Sequence, residues 1–347
     1  MIFWYLLILV VTLVNVKVCR KGFFPDYLGK EQCNAVKGVF ILLVFMAHVQ
    51  TFIMRCGFSF DKPTDGTGRA FSVAMGQLVV TLFFFYSGYG VMKSLMAKGD
   101  SYLDTYPKKR LLTTLLNFDV AVICFVFLAW ILGEKVGLPR ILLSLIGWSA
   151  VGNSNWYIFV ILCCYLAFYL VFKVFGTRYR LGAAVLAVIV LAGMLALRAC
   201  KSPYWYTTML VFPAGTVYAL YSEKLEHLIQ QRYWLSVILL LAAFLSLGLL
   251  VKTHPLHGLT FNAKSIVFAL LIVTLTMKVR IGNQWLRWCG LSLFPLYIYQ
   301  RLPMISLRGI AGEGWVCANP HVFIGLCFLI TVGIAWLYNK FFRIKLT

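Results

Sequence analysis

Charged residues are scarce in this sequence, and acidic residues are the scarcest of them. Only 12% of the 347 residues are charged, and just 11 are aspartate or glutamate. A soluble globular domain carries about 25% charged residues, so this composition excludes an ordinary soluble protein. Long polar stretches are missing too: the longest, at 17–37, 55–70 and 93–110, are loop-sized. Any chemistry must therefore take place within the apolar part of the chain or at its edges.

Cysteine motifs and a cleavable leader are also missing. The ten cysteines include no C-x-x-C pair and no Cys/His cluster with zinc-like spacing, so the sequence implies no metal. Cys163 and Cys164 adjoin within an apolar run, and we expect most cysteines to pack as small apolar residues. Residues 1–18 lack the basic start of a signal peptide, since Lys17 and Arg20 follow the apolar run. An N-terminal anchor helix is the better interpretation.

Apolar residues dominate what is present. They make up 61% of the chain, and the mean hydropathy is +0.86. Continuous apolar runs long enough to cross a bilayer recur along the whole length, which predicts an all-α, polytopic transmembrane helix bundle. We predict eleven spans, near 2–16, 36–54, 71–92, 112–132, 155–172, 181–197, 204–221, 233–251, 261–277, 288–307 and 321–339.

The basic residues indicate how these spans are oriented. A net charge of +21 would suggest nucleic acid in a soluble protein, but here the positive charges lie between spans and no nucleic acid partner is expected. When Lys37, Lys264 and Arg301 are assigned to the nearer ends of their spans, regions after odd-numbered spans hold 21 of the lysines and arginines, and regions after even-numbered spans hold 11. The positive-inside rule therefore places the N-terminus outside and the C-terminus in the cytosol.

Two ionisable residues, Lys37 and His48, share one apolar helix in KGVFILLVFMAHV. Eleven steps of about 100° return close to the starting direction, so both side chains lie on one face. At about 1.5 Å per residue the imidazole lies roughly 16 Å beyond the ammonium, near mid-membrane. An ionisable residue at that depth is costly and usually functional.

His48 is the main catalytic candidate. An imidazole can accept a hydroxyl proton near neutral pH, or attack a thioester directly and carry the acyl group for a time. Either role requires that the ring be reachable from both faces of the membrane. The alternative is a histidine that is satisfied by a helix–helix hydrogen bond.

Four segments in order resemble the acyltransferase 3 family of membrane acyltransferases. They are KGVFILLVFMAH at 37–48, LFFFYSGYGVMKSL at 82–95, NSNWYIFVILCCYLAFYL at 153–170 and WCGLSLFPLYIYQ at 288–300. The chain departs from the family pattern at three positions. Lys37 stands where the family has arginine, Thr113 replaces the second arginine of an Arg-x-x-Arg motif that begins at Arg110, and Gln300 replaces a late histidine.

The resemblance implies a ten-span acyltransferase domain at 31–347, preceded by an extra transmembrane helix and basic loop at 1–30. It further implies O-acylation in a bacterial cytoplasmic membrane, with cytosolic acetyl-CoA as the acyl donor and no metal. The implied acceptor is a carbohydrate, such as an envelope polysaccharide or a lipid-linked glycan. Membrane lipids are expected partners, and a homo-oligomer is left open.

Basic residues near the cytosolic side are donor-binding candidates. Lys37 could bind the donor's phosphates or anchor a helix end. Lys108, Lys109 and Arg110 form the densest basic cluster and are assigned to the same side of the membrane as Lys37. They could bind coenzyme A phosphates, or they could serve only to orient the adjacent spans.

Two polar residues in other spans are further catalytic candidates. Ser87 of YSGYG could stabilise an oxyanion or orient His48, or belong to a packing seam in which Gly88 and Gly90 allow close helix approach. Asp119 is the only carboxylate well inside a predicted span. It could orient the imidazole or pair with a basic residue.

Acceptor-binding candidates lie near the predicted outer face. Asn155, Trp156 and Tyr157 open a span, where such residues suit a sugar or an interfacial belt. We also select Tyr297, Gln300 and Arg301. Tyr297, Arg301 and Arg308 could line one face that Pro303 bends, meeting an anionic glycan or headgroup, or the arginines could extend to the outer surface.

Other function classes remain open from the sequence. A transporter or flippase for a lipid-linked glycan would also place polar residues at the midplane, although paired Gly/Pro-broken spans are absent. The same fold could acylate an amine. His254 and His257 in an outer loop could touch an acceptor or be merely solvated.

Overall fold

The computed structural model describes residues 1–253 and 257–346, and its secondary structure is almost wholly helical. The helices are α1 Ile2–Leu13, α2 Lys30–Arg55, α3 Pro63–Met75, α4 Leu78–Lys98, α5 Asp100–Tyr106, α6 Thr113–Ile131, α7 Leu138–Leu145, α8 Trp156–Phe175, α9 Tyr179–Cys200, α10 Val211–Leu220, α11 Ser222–Gln231, α12 Tyr233–Thr253, α13 His257–Thr276, α14 Gln284–Leu291, α15 Leu293–Tyr299, α16 Arg301–Ala311, α17 Glu313–Ala318 and α18 Pro320–Leu337. Pro107–Leu112 and Tyr338–Phe342 form π-helical turns, and Pro203–Trp205 forms a 3-10 turn.

The long apolar helices confirm an all-α membrane bundle. Eight helical segments of the described chain are long and apolar enough to cross a bilayer. They are Lys30–Arg55, Pro63–Lys98, Asp100–Ile131, Trp156–Phe175, Tyr179–Cys200, Tyr233–Val251, His257–Thr276 and Pro320–Phe342. Each overlaps one of the eleven predicted spans. The protein is therefore an integral membrane protein.

The remaining three predicted spans are not single long helices. The apolar helices α1 and α10 have 12 and 10 residues, and at about 1.5 Å per residue neither crosses a hydrocarbon core of about 30 Å as a straight helix. The predicted span 288–307 is divided among α14, α15 and α16. The count of eleven and the orientation stay predictions.

Two prolines account for the breaks in this last region. Proline lacks an N–H and its ring clashes with the carbonyl four residues earlier, so it interrupts the preceding helical turn. Pro295 follows the break at Ser292 by three residues, and Pro303 follows the break at Gln300 by three residues. The expected bend at Pro303 thus separates α15 from α16.

Glycines bring two helix pairs into backbone contact. A Cβ at Gly38 of α2 would overlap the Leu286 carbonyl oxygen, and one at Gly290 of α14 would overlap the Asn34 carbonyl oxygen. Gly88 of α4 lies equally close to the backbone of α10. These contacts place α14 beside the start of α2, and α10 beside α4.

The predicted packing role is confirmed for Gly88 and wrong for Gly90. A Cβ at Gly90 would meet no atom within 4 Å. The reason is that Gly90, two residues further along α4, points into a cavity and away from α10.

Strands β1 (Lys17–Val18) and β2 (Val279–Arg280) pair antiparallel and connect the N-terminal loop to the segment before α14. The side chain of Gln32 bonds to the backbone on both sides of Arg280. Together with the β pair, these bonds hold the first turn of α2 against the segment that leads into α14.

Fewer cysteines are buried than expected. Cys164, Cys289 and Cys327 are buried, whereas the others are half-buried or exposed; Cys163, the neighbour of Cys164, faces outward because adjacent helical positions point about 100° apart.

Candidate active site

Helix α2 carries both Lys37 and His48. It runs without a break from Lys30 to Arg55, so the predicted spacing of roughly 16 Å along one helix face applies. The two residues nevertheless have different surroundings, one beside a cavity and one in the protein interior.

Lys37 lines a cavity of about 410 Å³ together with Ser87 and Arg110. Three residues selected from separate parts of the sequence therefore meet at one place, which we call the lysine cavity. Its full lining is Leu28, Lys30, Cys33, Asn34, Lys37, Phe83, Tyr86, Ser87, Tyr89, Gly90, Val91, Lys93, Ser94, Arg110, Tyr165 and Leu293. Lys108 and Lys109 are exposed and are not part of this lining.

The lysine cavity is strongly cationic. Its four basic residues are Lys30, Lys37, Lys93 and Arg110, and no acidic residue of the described chain lines it. Lys93 Nζ donates a hydrogen bond of 2.8 Å to Ser222 Oγ, which holds that ammonium at the wall. Four cations with no carboxylate favour a ligand that carries several negative charges.

Arg110 lies in the π-helical turn between α5 and α6, next to three tyrosines, Tyr102, Tyr106 and Tyr165. The extra residue of a π turn redirects the helix face, a feature that is frequent at functional sites. Stacked rings of Tyr106 and Tyr169, with centroids 6.1 Å apart, pack behind this cluster. The guanidinium is thereby held at the mouth of the lysine cavity.

His48 is surrounded by polar groups that lack partners. The imidazole lies beside Tyr297, with ring centroids 6.2 Å apart, and near Gln300 and Arg301. Six of the fifteen buried side-chain polar atoms that make no hydrogen bond in the described structure belong to His48 and to the segments beside it: His48 Nδ1, the Tyr297 hydroxyl, Gln300 Oε1, Arg301 Nε, Asn153 Nδ2 and Ser154 Oγ. Native proteins leave few buried polar atoms unpaired, so this concentration indicates a place that water or substrate occupies.

His48 does not line the lysine cavity, although its side chain is only half-buried, and its expected access from both faces of the membrane stays a prediction. The cavity wall at Phe83 and Ser87 adjoins Tyr157, whose ring centroid lies 6.1 Å from that of Phe83. Tyr157 in turn packs against Tyr297 at 5.4 Å, and Tyr297 contacts His48. Two tyrosines therefore separate the cavity from the imidazole.

A second polar recess lies at the other end of α2. It has a volume of about 200 Å³ and four arginines in its lining, Arg55, Arg140, Arg301 and Arg308, against the single carboxylate of Glu134. We call it the arginine cleft. The predicted common face of Arg301 and Arg308 is confirmed, and both guanidinium groups lie over the ring of Phe52, at 5.4 and 5.8 Å.

The loop before α8 connects the arginine cleft with the surroundings of His48. Arg301 Nη1 donates a hydrogen bond of 3.2 Å to the carbonyl oxygen of Asn153. Asn155 Nδ2 donates to the carbonyl oxygen of Gly147 at 2.7 Å, so this predicted acceptor ligand is engaged within its own loop. Trp156 packs edge-on against the ring of Tyr204.

The side chain of Lys201 holds the same loop in place through its contacts with Trp148 and Trp205. Its Nζ lies 3.7 Å from the ring centroid of Trp148 and 4.3 Å from that of Trp205, and it donates to the Trp148 carbonyl oxygen at 2.9 Å. Burial lowers the pKa of Lys201 from its ordinary value. This arrangement fixes one end of the loop that carries Asn153.

The structure does not bring Asp119 to the imidazole. Its Oδ1 has no hydrogen bond within the described residues, and the neighbours of His48 come from α15 and α16 instead. Among the loop histidines, His257 is exposed beside Phe261, and His254 lies outside the described residues.

Several site residues were missed by the sequence analysis. Lys30 and Lys93 were counted only as topology signals, and Arg55 and Arg140 likewise. Asn153 and Ser154 precede the Trp-Tyr pair that attracted attention. No local pattern distinguishes these residues, although the polar run NSN before an apolar span was a usable signal.

Comparison with known proteins gives one match. A family model described as an acyltransferase domain, that of the acyltransferase 3 family, matches residues 31–340. No curated protein and no solved structure gives a significant match.

Proposed function

Because this chain belongs to the acyltransferase 3 family and is an integral membrane acyltransferase, we propose that it transfers an acetyl group from acetyl-CoA to a hydroxyl of an envelope carbohydrate. The observation that carries the proposal is the group of unpartnered polar atoms around His48, on the helix that also lines the lysine cavity. Family membership favours transfer over the transporter or flippase alternative.

The lysine cavity binds the donor. Coenzyme A carries a diphosphate and a further phosphate, and the four basic side chains of the cavity complement these charges. The cavity volume of about 410 Å³ is within the usual range for small-molecule sites, about 300–1,000 Å³. On the expected orientation this cavity opens to the cytosol, where acetyl-CoA is made. Ser87 contacts the donor where the cavity adjoins Tyr157.

The acetyl end reaches His48 when the rings of Tyr157 and Tyr297 turn aside. Aromatic side chains that close a path until the substrate arrives exclude water from a reactive thioester. The position of these two rings between the cavity wall and the imidazole supports this gating role.

Transfer itself is a proton-coupled displacement at the thioester. The His48 imidazole accepts the acceptor's hydroxyl proton as the oxygen forms a bond to the thioester carbonyl carbon. The tetrahedral intermediate then collapses, the carbon–sulfur bond breaks, and the imidazolium returns its proton to the leaving thiolate. Gln300 and the Tyr297 hydroxyl lie close enough to the ring to orient it or to donate to the developing oxyanion.

The experiment incubates the purified full-length chain in nanodiscs with labelled acetyl-CoA and membrane extract, and measures labelled product and free thiol. General base catalysis contributes about 10²–10⁴-fold, so His48→Ala should lower transfer by about that factor. His227→Ala is the matched control, since His227 is exposed on α11 and its Nε2 shares a hydrogen bond of 3.4 Å with Gln231. Transfer by His48→Ala at the level of His227→Ala would refute the role of the imidazole, and wild-type protein that produces neither labelled product nor thiol would refute the function.

A further inference from the structure

The arginine cleft lies too far from the lysine cavity to bind the phosphates of the donor. Lys37 and Arg55 lie 18 residues apart on α2, which corresponds to about 27 Å along the axis, so the cleft and the lysine cavity lie at opposite ends of this helix. A donor whose phosphates occupy the lysine cavity does not place those phosphates among Arg55, Arg140, Arg301 and Arg308.

The cleft carries uncompensated positive charge. Arg55 lies near enough to Arg301 for the two charges to repel, and Glu134 is the single carboxylate in the lining. Arg308 has one weak partner, Glu313, at 4.0 Å. Arg55 has no ion pair or hydrogen bond recorded in the described structure. Like charges held together in one cleft, with a single carboxylate among them, favour a bound anion.

The distribution of basic residues over the chain strengthens this point. On the expected orientation only 11 of the 32 lysines and arginines face outward, because the positive-inside rule disfavours them there. Four of those 11 meet in the arginine cleft, although they come from the end of α2, the segment after α6, and α16. Basic residues that served only to orient the spans in the membrane would have no reason to meet in one cleft.

Arg301 connects the cleft to the reacting group. It lines the cleft, donates to the Asn153 carbonyl oxygen, and lies beside His48. Its Nε is buried and unpartnered. An anion that binds this guanidinium would fix a hydroxyl of the same molecule close to the imidazole.

We propose that the acceptor is an acidic molecule, and that the arginine cleft binds its carboxylate or phosphate while a neighbouring hydroxyl meets His48. Guanidinium groups bind both anions through paired N–H donors, so the cleft selects the acceptor by charge and orients it by geometry. This inference rests on the proposed function and narrows its acceptor from carbohydrates in general to anionic ones.

The first test measures the charge of the natural product. Membranes that contain the full-length chain are incubated with labelled acetyl-CoA, extracted with organic solvent, and both phases are passed over an anion exchanger at neutral pH. Unreacted acetyl-CoA and free acetate are themselves anions, so they are identified by their elution positions and set aside, and we expect the remaining label to bind the exchanger. Label in the organic phase would identify a lipid-linked anion and label in the water phase a soluble acid or polymer, and either supports the proposal. A neutral labelled product overturns it.

The second test measures the KM for the acceptor in variants of the arginine cleft. Arg55→Gln is the informative variant, because Arg55 is exposed and its replacement removes charge from the cleft without removing a recorded hydrogen bond. Arg198→Gln is the matched control, since Arg198 is exposed at the end of α9, also expected outside, and does not line the cleft. A charge-assisted contact contributes about 1.5–3 kcal/mol, so Arg55→Gln should raise the acceptor KM by about 10–100-fold with little change in kcat.

The outcomes separate the two proposals. Equal acceptor KM values for Arg55→Gln and Arg198→Gln would overturn the acidic-acceptor inference while labelled transfer still stands. Arg301→Gln should lower kcat as well, because it also removes the link to Asn153. If wild-type protein yields no labelled product at all, the proposed function fails and takes this inference with it.

Discussion

The ring of Tyr297 lies against the ring of His48, with centroids 6.2 Å apart, and the Tyr297 hydroxyl has no hydrogen bond within the described structure. Helices α15 and α2 thus contribute one residue each to a contact that neither helix pattern reveals. A buried phenol without a hydrogen bond, beside a half-buried imidazole, costs free energy in the resting protein and can donate a hydrogen bond when a substrate oxygen arrives.

Tyr297→Phe should separate these two effects. Removal of a buried hydroxyl that has no partner should leave the free energy of unfolding unchanged or slightly raised. Loss of a donor to the reacting oxygen should lower kcat by about 10²–10³-fold. Steady-state kinetics and thermal unfolding in the same detergent measure both. An unchanged kcat would exclude the Tyr297 hydroxyl from the reaction.

Tyr157→Ala should open the separation between the lysine cavity and His48. Water would then reach the thioester, so hydrolysis of acetyl-CoA in the absence of acceptor should rise above the wild-type rate. Free thiol release measures it. Phe159→Ala is the control, since Phe159 lies two residues further along α8 and packs against Trp148 and Trp205. A rise in both variants would indicate general loosening of α8 instead of a gate.

Lys37 should act on donor binding. Lys37→Gln removes one of the four positive charges of the lysine cavity and should raise the acetyl-CoA KM by about 10–100-fold, whereas Lys37→Arg should restore most of the affinity. Lys108→Gln, outside the cavity but in the same basic cluster, should leave the KM unchanged. Equal effects at Lys37 and Lys108 would show that net charge alone matters.

Gly88 and Gly90 should respond in opposite ways to alanine. The added Cβ of Gly88→Ala would overlap the backbone carbonyl of Phe212, so α4 and α10 must separate and the melting temperature should fall. Gly90→Ala places its Cβ in open space and should be tolerated. A larger Gly90→Leu should keep the melting temperature but raise the acetyl-CoA KM, because it fills the cavity. A stable Gly88→Ala would contradict the packing.

Pro303→Ala should repair the break at Gln300 and disturb the site. Restored helical hydrogen bonding should leave the melting temperature unchanged or raise it, by removal of an interruption that costs about 3 kcal/mol in a regular helix. The side chains of Gln300 and Arg301 would rotate with the mended helix, so kcat should fall. Pro320→Ala, at the first position of α18, is the control. Full activity in Pro303→Ala would show that the break is unnecessary.

Much of the fold could be predicted from the sequence because hydropathy and helical period are local properties. The eight long helices correspond to predicted spans, and the position of Lys37 and His48 on one helix follows from spacing alone. Lys37 and Arg110, which the sequence analysis assigned to one side of the membrane, line one cavity in the structure.

The rest depended on which helices touch. Asp119 looked like a partner for His48 because it was the only carboxylate within a predicted span, yet α6 places it elsewhere. Asn155 looked like a sugar ligand, but its amide is engaged by the carbonyl oxygen of Gly147. The spacing of residues along the sequence does not predict the position of Asp119 or the hydrogen bond of Asn155, because both depend on which segments pack together.

The sequence by itself determined the class of the protein, its long apolar helices and the position of the imidazole along its helix, because burial in lipid and the 3.6-residue period constrain each segment independently. The tertiary structure decided which polar side chains meet His48, that two tyrosines lie between it and the lysine cavity, and that four arginines from distant segments share one cleft. The physical reason is that helix neighbours are selected by packing contacts such as those of Gly38 and Gly88, which join segments far apart in the chain.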